Sequence, residues 1–348
     1  MRRSMHTREQ MAGGLPIDTD WMLAEPPAPP FDWVREGTSY WVFDDKGEFA
    51  IPRIGVEAEP HSWENRSFHC NLALADGRLL LSAGRGPMPK VIDDTERPAV
   101  MGAGPVTFHV SNRSKSGGSV STAWSPTSIF LNRSVTVSAQ GARCGAARVR
   151  GSDGGTSGRA GHLAAEALYM GQRQAARCAS VGLGWRFQQL MHIEGEYAIN
   201  GVRRTFRGTG NRVKRRSVRT DGLFLRGHCW QSALFPDGRG FGFEVRPVHD
   251  EGLEPWNEAY TYQDGRMHHG KVVKVPWLDK IIERGEDVSV EIQTDLGLTH
   301  ISGRTHISTF RISNPDIWGL NLHQAAARYT WDGQTNLGMI ERSTVVRA

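Results

Sequence analysis

Apolar and polar positions alternate with a period of two along much of this chain, and short turn signals interrupt the alternation at close intervals. Ser39 to Val42, then Asp45-Lys46-Gly47, then Glu48 to Val56 predicts a first hairpin. Phe68 to Leu74, Asp76-Gly77 and Arg78 to Ser82 predict a second. The cleanest case is Glu196 to Ile199, Asn200-Gly201 and Val202 to Arg207, because a type I′ turn needs positive φ at both central residues and Asn-Gly tolerates it best. Strand patterning continues through Gly222 to Phe235, Arg239 to Arg246, Glu258 to Gln263, Arg266 to Val275, Val288 to Thr294, Thr299 to Ile312 and Asn336 to Val346. Helical patterning is confined to Arg186 to Met191 and Trp277 to Glu283. The expected class is all-β, with antiparallel strands closed into barrels or stacked as sandwiches.

Turn chemistry fixes the register of one hairpin. Proline suits the first turn position of Pro236-Asp237-Gly238 and glycine the left-handed bulge position, so this is a three-residue loop with Phe235 opposite Arg239. Counting back by twos pairs Leu234 with Gly240, Ser232 with Gly242, Trp230 with Glu244 and His228 with Arg246. The opposite face carries Leu223, Leu225, Cys229, Ala233, Phe235, Phe241, Phe243 and Val245, a natural core. His228 and Glu244 are therefore candidate catalytic residues able to share a proton, with Trp230 as an apolar or cation-stabilising wall and Arg246 as a substrate contact. Gly240 and Gly242 leave room for a ligand beside them. The competing reading is a solvated outer face bearing an ordinary ion pair, and a two-residue turn would swap the faces of the second strand.

Length and composition widen the frame. A chain of 348 residues, 39% hydrophobic and 23% charged, is long enough for two ordinary globular domains. No apolar run approaches the roughly 20 residues of a spanning helix, and the basic start Met1-Arg2-Arg3 is followed by polar residues where a signal peptide has its apolar stretch, so the expected location is cytoplasmic. Cys70, Cys144, Cys178 and Cys229 are scattered without a C-x-x-C pair and read as free thiols, so neither a zinc site nor a disulfide framework is expected. A formal charge of +5 favours acidic ligands only as a weak field. His69-Cys70 before Asp76-Gly77 is echoed by His228-Cys229-Trp230 before Asp237-Gly238, which suggests two related lobes.

Residues 111–180 differ in kind. Between Glu96 and Glu194 the acidic residues are Asp153 and Glu166 alone, while arginine, serine, glycine and alanine accumulate without a period. One reading is a basic linker. The other is a stretch translated out of frame, since the codons from Val110 to Trp124 read two nucleotides later permit a string with acids, an alternating strand and an Asp-Gly turn.

Gly208-Thr209-Gly210-Asn211-Arg212, then Gly227-His228-Cys229-Trp230-Gln231-Ser232-Ala233-Leu234-Phe235 with Asp237-Gly238, resembles the C-terminal lobe of the AttH and carotenoid hydratase group of lipocalin-like proteins. Tyr329-Thr330-Trp331-Asp332-Gly333 and Gly338-Met339-Ile340-Glu341-Arg342-Ser343 are similar to the group's closing strands, and His61-Ser62-Trp63-Glu64-Asn65 is a fainter match. The resemblance implies two tandem lipocalin-like lobes: residues 31–184, with 111–180 anomalous, and residues 185–348, after a polar segment over 1–30. It also implies a cofactor-independent acid–base enzyme of hydratase, cyclase or isomerase type acting on an apolar isoprenoid- or lipid-like molecule. The alternative is a non-catalytic carrier of a hydrophobic ligand. Val213 to Arg219 replaces the group's commoner His-Ser-Trp-Gly, so any role of that histidine does not carry over.

Other clusters rank lower. Glu341, on a terminal strand, is a candidate substrate contact, or the partner of Arg342 or a neighbour in a surface ion pair. Arg203, Arg204, Arg207, Arg212, Lys214, Arg215, Arg216 and Arg219 form a basic run without interleaved aromatics, so a solvated hairpin is expected rather than a nucleic-acid surface. His268 and His269 are adjacent and point to opposite faces of a strand. Gly84-Arg85-Gly86-Pro87 lacks the features of a phosphate loop.

Overall fold

The computed structural model describes residues 34–89, 100–113, 122–126, 129–130, 135–139, 148–150, 183–200, 202–218, 227–247, 256–264, 266–280, 282–312 and 321–344. Among these the regular structure is entirely β. A first group of strands is β1 (Val34–Asp44), β2 (Phe49–Ala58), β3 (Asn65–Leu74), β4 (Leu79–Pro87), β5 (Val100–Ala103), β6 (Val106–Arg113), β7 (Thr122–Pro126), β8 (Ile129–Phe130), β9 (Val135–Ala139), β10 (Arg148–Arg150), β11 (Leu183–Ile199) and β12 (Val202–Val218). A second group is β13 (His228–Leu234), β14 (Gly240–Arg246), β15 (Trp256–Gln263), β16 (Arg266–Lys274), β17 (Val290–Thr294), β18 (Gly297–Ile312), β19 (Asn321–Trp331) and β20 (Gln334–Ser343).

The second group closes into an eight-stranded antiparallel barrel in chain order. The first forms a nine-stranded sheet, ordered β4-β3-β2-β1-β12-β11-β9-β8 with β10 on β11, and β5-β6-β7 form a separate small sheet. The change of sheet falls between Val218 and His228. Strands β11 and β12 pair within the first sheet: β12 lies between β1 and β11, with Arg212 opposite both Tyr40 and Gln189. Residues 1–30 and most of 111–180 lie outside the described residues.

The turns behave as their residues dictate. Asn200 has φ 51° between Ile199 and Val202, and Asp332 and Gly333 have φ 45° and 78° between Trp331 and Gln334, the two-residue geometry that positive φ permits. At Pro236-Asp237-Gly238 the Phe235 amide donates to the Arg239 carbonyl at 2.7 Å, and Gly238 has φ 86°. Trp230 then faces Glu244, Ser232 faces Gly242 and Leu234 faces Gly240, as the three-residue loop requires.

Among the described residues four apolar clusters hold the fold. Tyr40, Phe49, Ile54, Cys70, Leu72 and Phe206 belong to the core of the first sheet, and Cys229, Ala233, Phe235, Phe241, Phe243 and Val245 to the barrel interior. A third cluster, including Trp41, Phe43, Trp230, Ala326 and Met339, joins the outside of the barrel to the first sheet. Elements buried on both faces lose the alternation that marks a strand. This accounts for Arg186 to Met191, which reads as helical yet lies in β11, with Leu190 against Leu234 and Tyr260 and with Met191 in the first core. The described residues of Trp277 to Glu283 are not helical either: the carbonyls of Pro276 and Trp277 accept from Arg342 Nη1 at 3.1 and 3.2 Å, and Leu278 bridges to Thr344.

Candidate functional site

Alternation along β13, β14 and β20 sends Cys229, Phe243 and Ile340 into the barrel and His228, Trp230, Glu244, Arg246 and Glu341 outward. That outward face is not solvated. The first sheet lies across it, leaving His228, Trp230, Glu244, Arg246 and Glu341 each less than a tenth exposed. All five line one cleft of about 90 Å³ between the barrel and the first sheet. From the first sheet come Ser39, Trp41, Arg53, Glu57, His69 and Arg215. The two echoed histidines, His69 and His228, thus meet at the same cleft, while the cysteines beside them, Cys70 and Cys229, turn into the two cores.

The acid–base geometry differs in one respect from the sequence expectation. Glu244 accepts from its own strand neighbour, with Arg246 Nη2 at 2.7 Å and Nε at 3.1 Å from Oε1. The carboxylate that meets His228 is Glu341: Nε2 lies 3.4 Å from Oε1. Directly opposite His228 in the β13–β20 pairing, and two residues beyond Glu341, Ser343 Oγ accepts from the His228 backbone amide at 3.1 Å and lies 2.9 Å from Nδ1. Glu341 is also reached by the Gln324 amide, and Arg53 Nη1 lies 3.8 Å from Oε2. Burial opposes ionisation of this carboxyl, but the hydrogen bond from His228, the charges of Arg53 and His228 and the Gln324 amide outweigh it and hold Glu341 well below the ordinary carboxylate range. Arg342, named as a possible partner in the sequence, points the other way, into the barrel.

The cleft walls combine apolar and ionic groups. The Arg53 guanidinium lies 5.7 Å from the Trp41 ring centroid, and Trp230 Nε1 donates to Gln188 at 3.0 Å. Arg215 is paired with Glu57. The space beside the two glycines is filled: a Cβ on Gly242 would come within 2.5 Å of the Tyr260 ring, and one on Gly240 within 2.8 Å of Leu190. The basic run divides the same way. Arg203, Arg204 and Arg207 are exposed at the hairpin tip, as a solvated hairpin requires, but Arg212 and Lys214 are fully buried and Lys214 Nζ lies 2.6 Å from Glu36. Sequence reasoning missed Ser39, Trp41, Arg53 and Glu57 as cleft residues. No local pattern reports that one sheet lies on another, and the His69 echo was the available signal.

Among the described residues no group of three or more His, Cys, Asp or Glu is placed to hold a metal ion, and His268 is engaged with Asp295 at 2.9 Å. Cys70 and Cys229 are buried free thiols whose ionisation burial disfavours, Cys229 being pushed up to about 12. Among the same residues no helix is long and apolar enough to cross a membrane.

No protein-family model matches the sequence, and no curated protein does. Solved structures do match in fold. The crystal structure of a protein of Nitrosomonas europaea assigned as AttH aligns over 93% of this chain and 99% of its own, with a TM-score of 0.57 and 14% identity. Kievitone hydratase from Nectria haematococca aligns over 90% and 89%, with a TM-score of 0.52 and 9% identity. At such identities the likeness is one of architecture, and the chain has the all-β fold of these AttH and hydratase structures, as its sequence resemblance implies.

Proposed function

We propose that this chain is an acid–base enzyme of hydratase, cyclase or isomerase type, with His228 as the proton carrier and Glu341 as its fixed counter-charge. The observation that carries this reading is the buried His228–Glu341 pair in a cleft flanked by Trp41 and Trp230. A carrier of hydrophobic ligands needs only apolar walls, and burying an ion pair where no chemistry uses it costs free energy. At 3.4 Å the contact between Nε2 and Oε1 is a long one, which leaves the proton available to a third atom.

For hydration the imidazolium gives its Nε2 proton to one carbon of a double bond. The indole faces and nearby carboxylates stabilise the cation formed at the neighbouring carbon. Water adds there, and its proton returns to Nε2, so the enzyme is unchanged and one water is consumed. Glu341 stays ionised throughout, as its depressed pKa favours. These steps use only groups of the chain, so the reading is cofactor-independent. A cleft of about 90 Å³ admits a water and the reacting group, while whole small-molecule sites span about 300–1,000 Å³. The rest of an apolar isoprenoid- or lipid-like substrate lies outside it. The buried free thiols Cys70 and Cys229 suit a reducing cytoplasm.

The test is incubation of the protein with unsaturated terpenoids, prenylated phenols and fatty acids in ¹⁸O-labelled water. Mass spectrometry reads label uptake, isomerisation or ring closure. Chemistry lost about 10²–10⁴-fold in His228→Gln and Glu341→Gln is the expected result. A ligand that co-purifies, survives incubation unchanged and binds both variants as well as wild type makes the protein a carrier.

A further inference from the structure

Ser343 is absent from the cleft wall yet touches the candidate proton carrier twice. It stands directly opposite His228 in the β13–β20 ladder and is 2% exposed. Its Oγ lies 3.1 Å from the His228 backbone nitrogen and 2.9 Å from Nδ1. A backbone N–H can only donate, so one lone pair of Oγ is committed to it, and the hydroxyl hydrogen is left to point at Nδ1. On the other side of the ring Nε2 faces Glu341 Oε1, and a carboxylate can only accept. A neutral imidazole has one N–H. The two neighbours therefore agree on where it sits: Nε2–H towards Glu341 and the cleft, with Nδ1 accepting from Ser343. The other tautomer sets the Nε2 lone pair against a carboxylate oxygen.

We propose that Ser343 is a positioning residue that fixes the neutral His228 ring in the Nε2–H tautomer, directing its proton at Glu341 and the cleft. When the ring takes a second proton at Nδ1, the same hydroxyl rotates and accepts from it, using its remaining lone pair. Ser343 therefore serves both charge states without a change of backbone: when the imidazolium gives its Nε2 proton to substrate, the transient neutral ring is the Nδ1–H form with the hydroxyl as its acceptor, and the Nε2–H preference belongs to the resting neutral ring. Gln324, which takes its own orientation from Asn71 Nδ2 at 2.8 Å, holds the second oxygen of Glu341 and keeps Oε1 turned to Nε2. The meaning of this arrangement for turnover rests on His228 being the proton carrier, but the tautomer itself does not and is read without substrate.

Two-bond ¹H–¹⁵N correlation spectra of histidine-labelled full-length protein, with His228 assigned by its absence in His228→Gln, read the tautomer directly. The expected wild-type pattern at a pH where the ring is neutral is that of Nε2–H alone. In Ser343→Ala the ring loses the hydrogen bond at Nδ1, and the share of the Nδ1–H form should rise by roughly fivefold. Ser343→Thr, which keeps a hydroxyl, should restore the wild-type pattern. A wild-type ring in the Nδ1–H form overturns the proposal whatever the variants do. So does a Ser343→Ala protein that unfolds at the wild-type temperature and shows an unshifted tautomer. If Ser343→Ala does not fold, the wild-type and Ser343→Thr spectra still decide. A wild-type Nε2–H ring in a protein whose His228→Gln and Glu341→Gln forms turn over normally leaves this assignment standing and removes the acid–base reading.

Discussion

Trp41 and Trp230, one from the first sheet and one from the barrel, meet edge to face with ring centroids 4.9 Å apart and planes at 73°. Each is at most 4% exposed, and both belong to the apolar seam between barrel and first sheet and line the cleft. Replacing either by alanine removes a large buried ring and should cost about 3–5 kcal/mol in a urea titration. The double-mutant cycle should return a coupling of about 0.5–1.5 kcal/mol beyond area burial. Strict additivity would show that the rings merely fill space.

The parts of this arrangement that local chemistry fixes were legible in the sequence. Pro236-Asp237-Gly238 sets the Trp230–Glu244 register, and the register sets which side chains leave the barrel. Non-local contacts were not legible. That His228 meets Glu341 and not Glu244 depends on barrel closure between β13 and β20, more than a hundred residues apart. β19 left little strand signal because Ala325 and Ala327 face the barrel core while Ala326 faces the inter-sheet seam, so the polar half of the alternation is missing. The glycines of β14 looked like space for a ligand. They are instead where Tyr260 and Leu190 pack.

That reading of Gly242 has a direct test. Its Cβ would sit 2.5 Å from Tyr260 Cε1 and 2.6 Å from the hydroxyl of a ring that is 1% exposed, so Gly242→Ala should destabilise by about 1–3 kcal/mol. In a Tyr260→Ala background the same change should cost little. Equal costs in both backgrounds, measured by thermal melts, would put the strain elsewhere.

Arg342 ties the segment at Pro276 and Trp277 to β20. It is fully buried, donates to the carbonyls of Pro276 and Trp277 and to His323 Nδ1, and pairs with Glu286. Arg342→Met leaves a carboxylate and two carbonyls without that partner, and should cost about 3–5 kcal/mol. Arg342→Lys should fail almost as badly, because one ammonium cannot span the fork. Limited trypsin digestion should then cut first at Lys274, Lys280 or Arg284. Wild-type digestion kinetics in Arg342→Met would mean the segment at Pro276 and Trp277 is held by its apolar contacts alone.

His323 gives the fold an acid limit that can be placed in advance. The ring is fully buried, and Arg342 Nε donates to Nδ1 at 3.0 Å while Nε2 lies 3.0 Å from Ser308 Oγ. Burial first, and the Arg342 charge second, lower its pKa from 6.5 to about 3. Between those values the unfolded chain binds a proton there and the native chain does not, so unfolding is favoured as pH falls from about 6.5 towards about 3. The full span corresponds to at most roughly 4–5 kcal/mol at about 1.4 kcal/mol per unit. Glu341 acts in the same direction but lower: its carboxyl is held below 4.5 in the native state, so its contribution is present above that pH and is lost as acid protonates it. His306, lowered chiefly by burial, adds to the upper window. Urea midpoints measured every half unit from pH 7.5 to 4 should decline first below about 6.5, before Glu341 begins to titrate. His323→Gln keeps an acceptor for Arg342 and removes the titration, so it should flatten the limb between pH 6.5 and 4.5 and leave the steeper loss below 4.5 in place. An upper limb that survives intact in His323→Gln would assign it to His306 or another histidine, and would mean that the native barrel admits a proton beside Arg342.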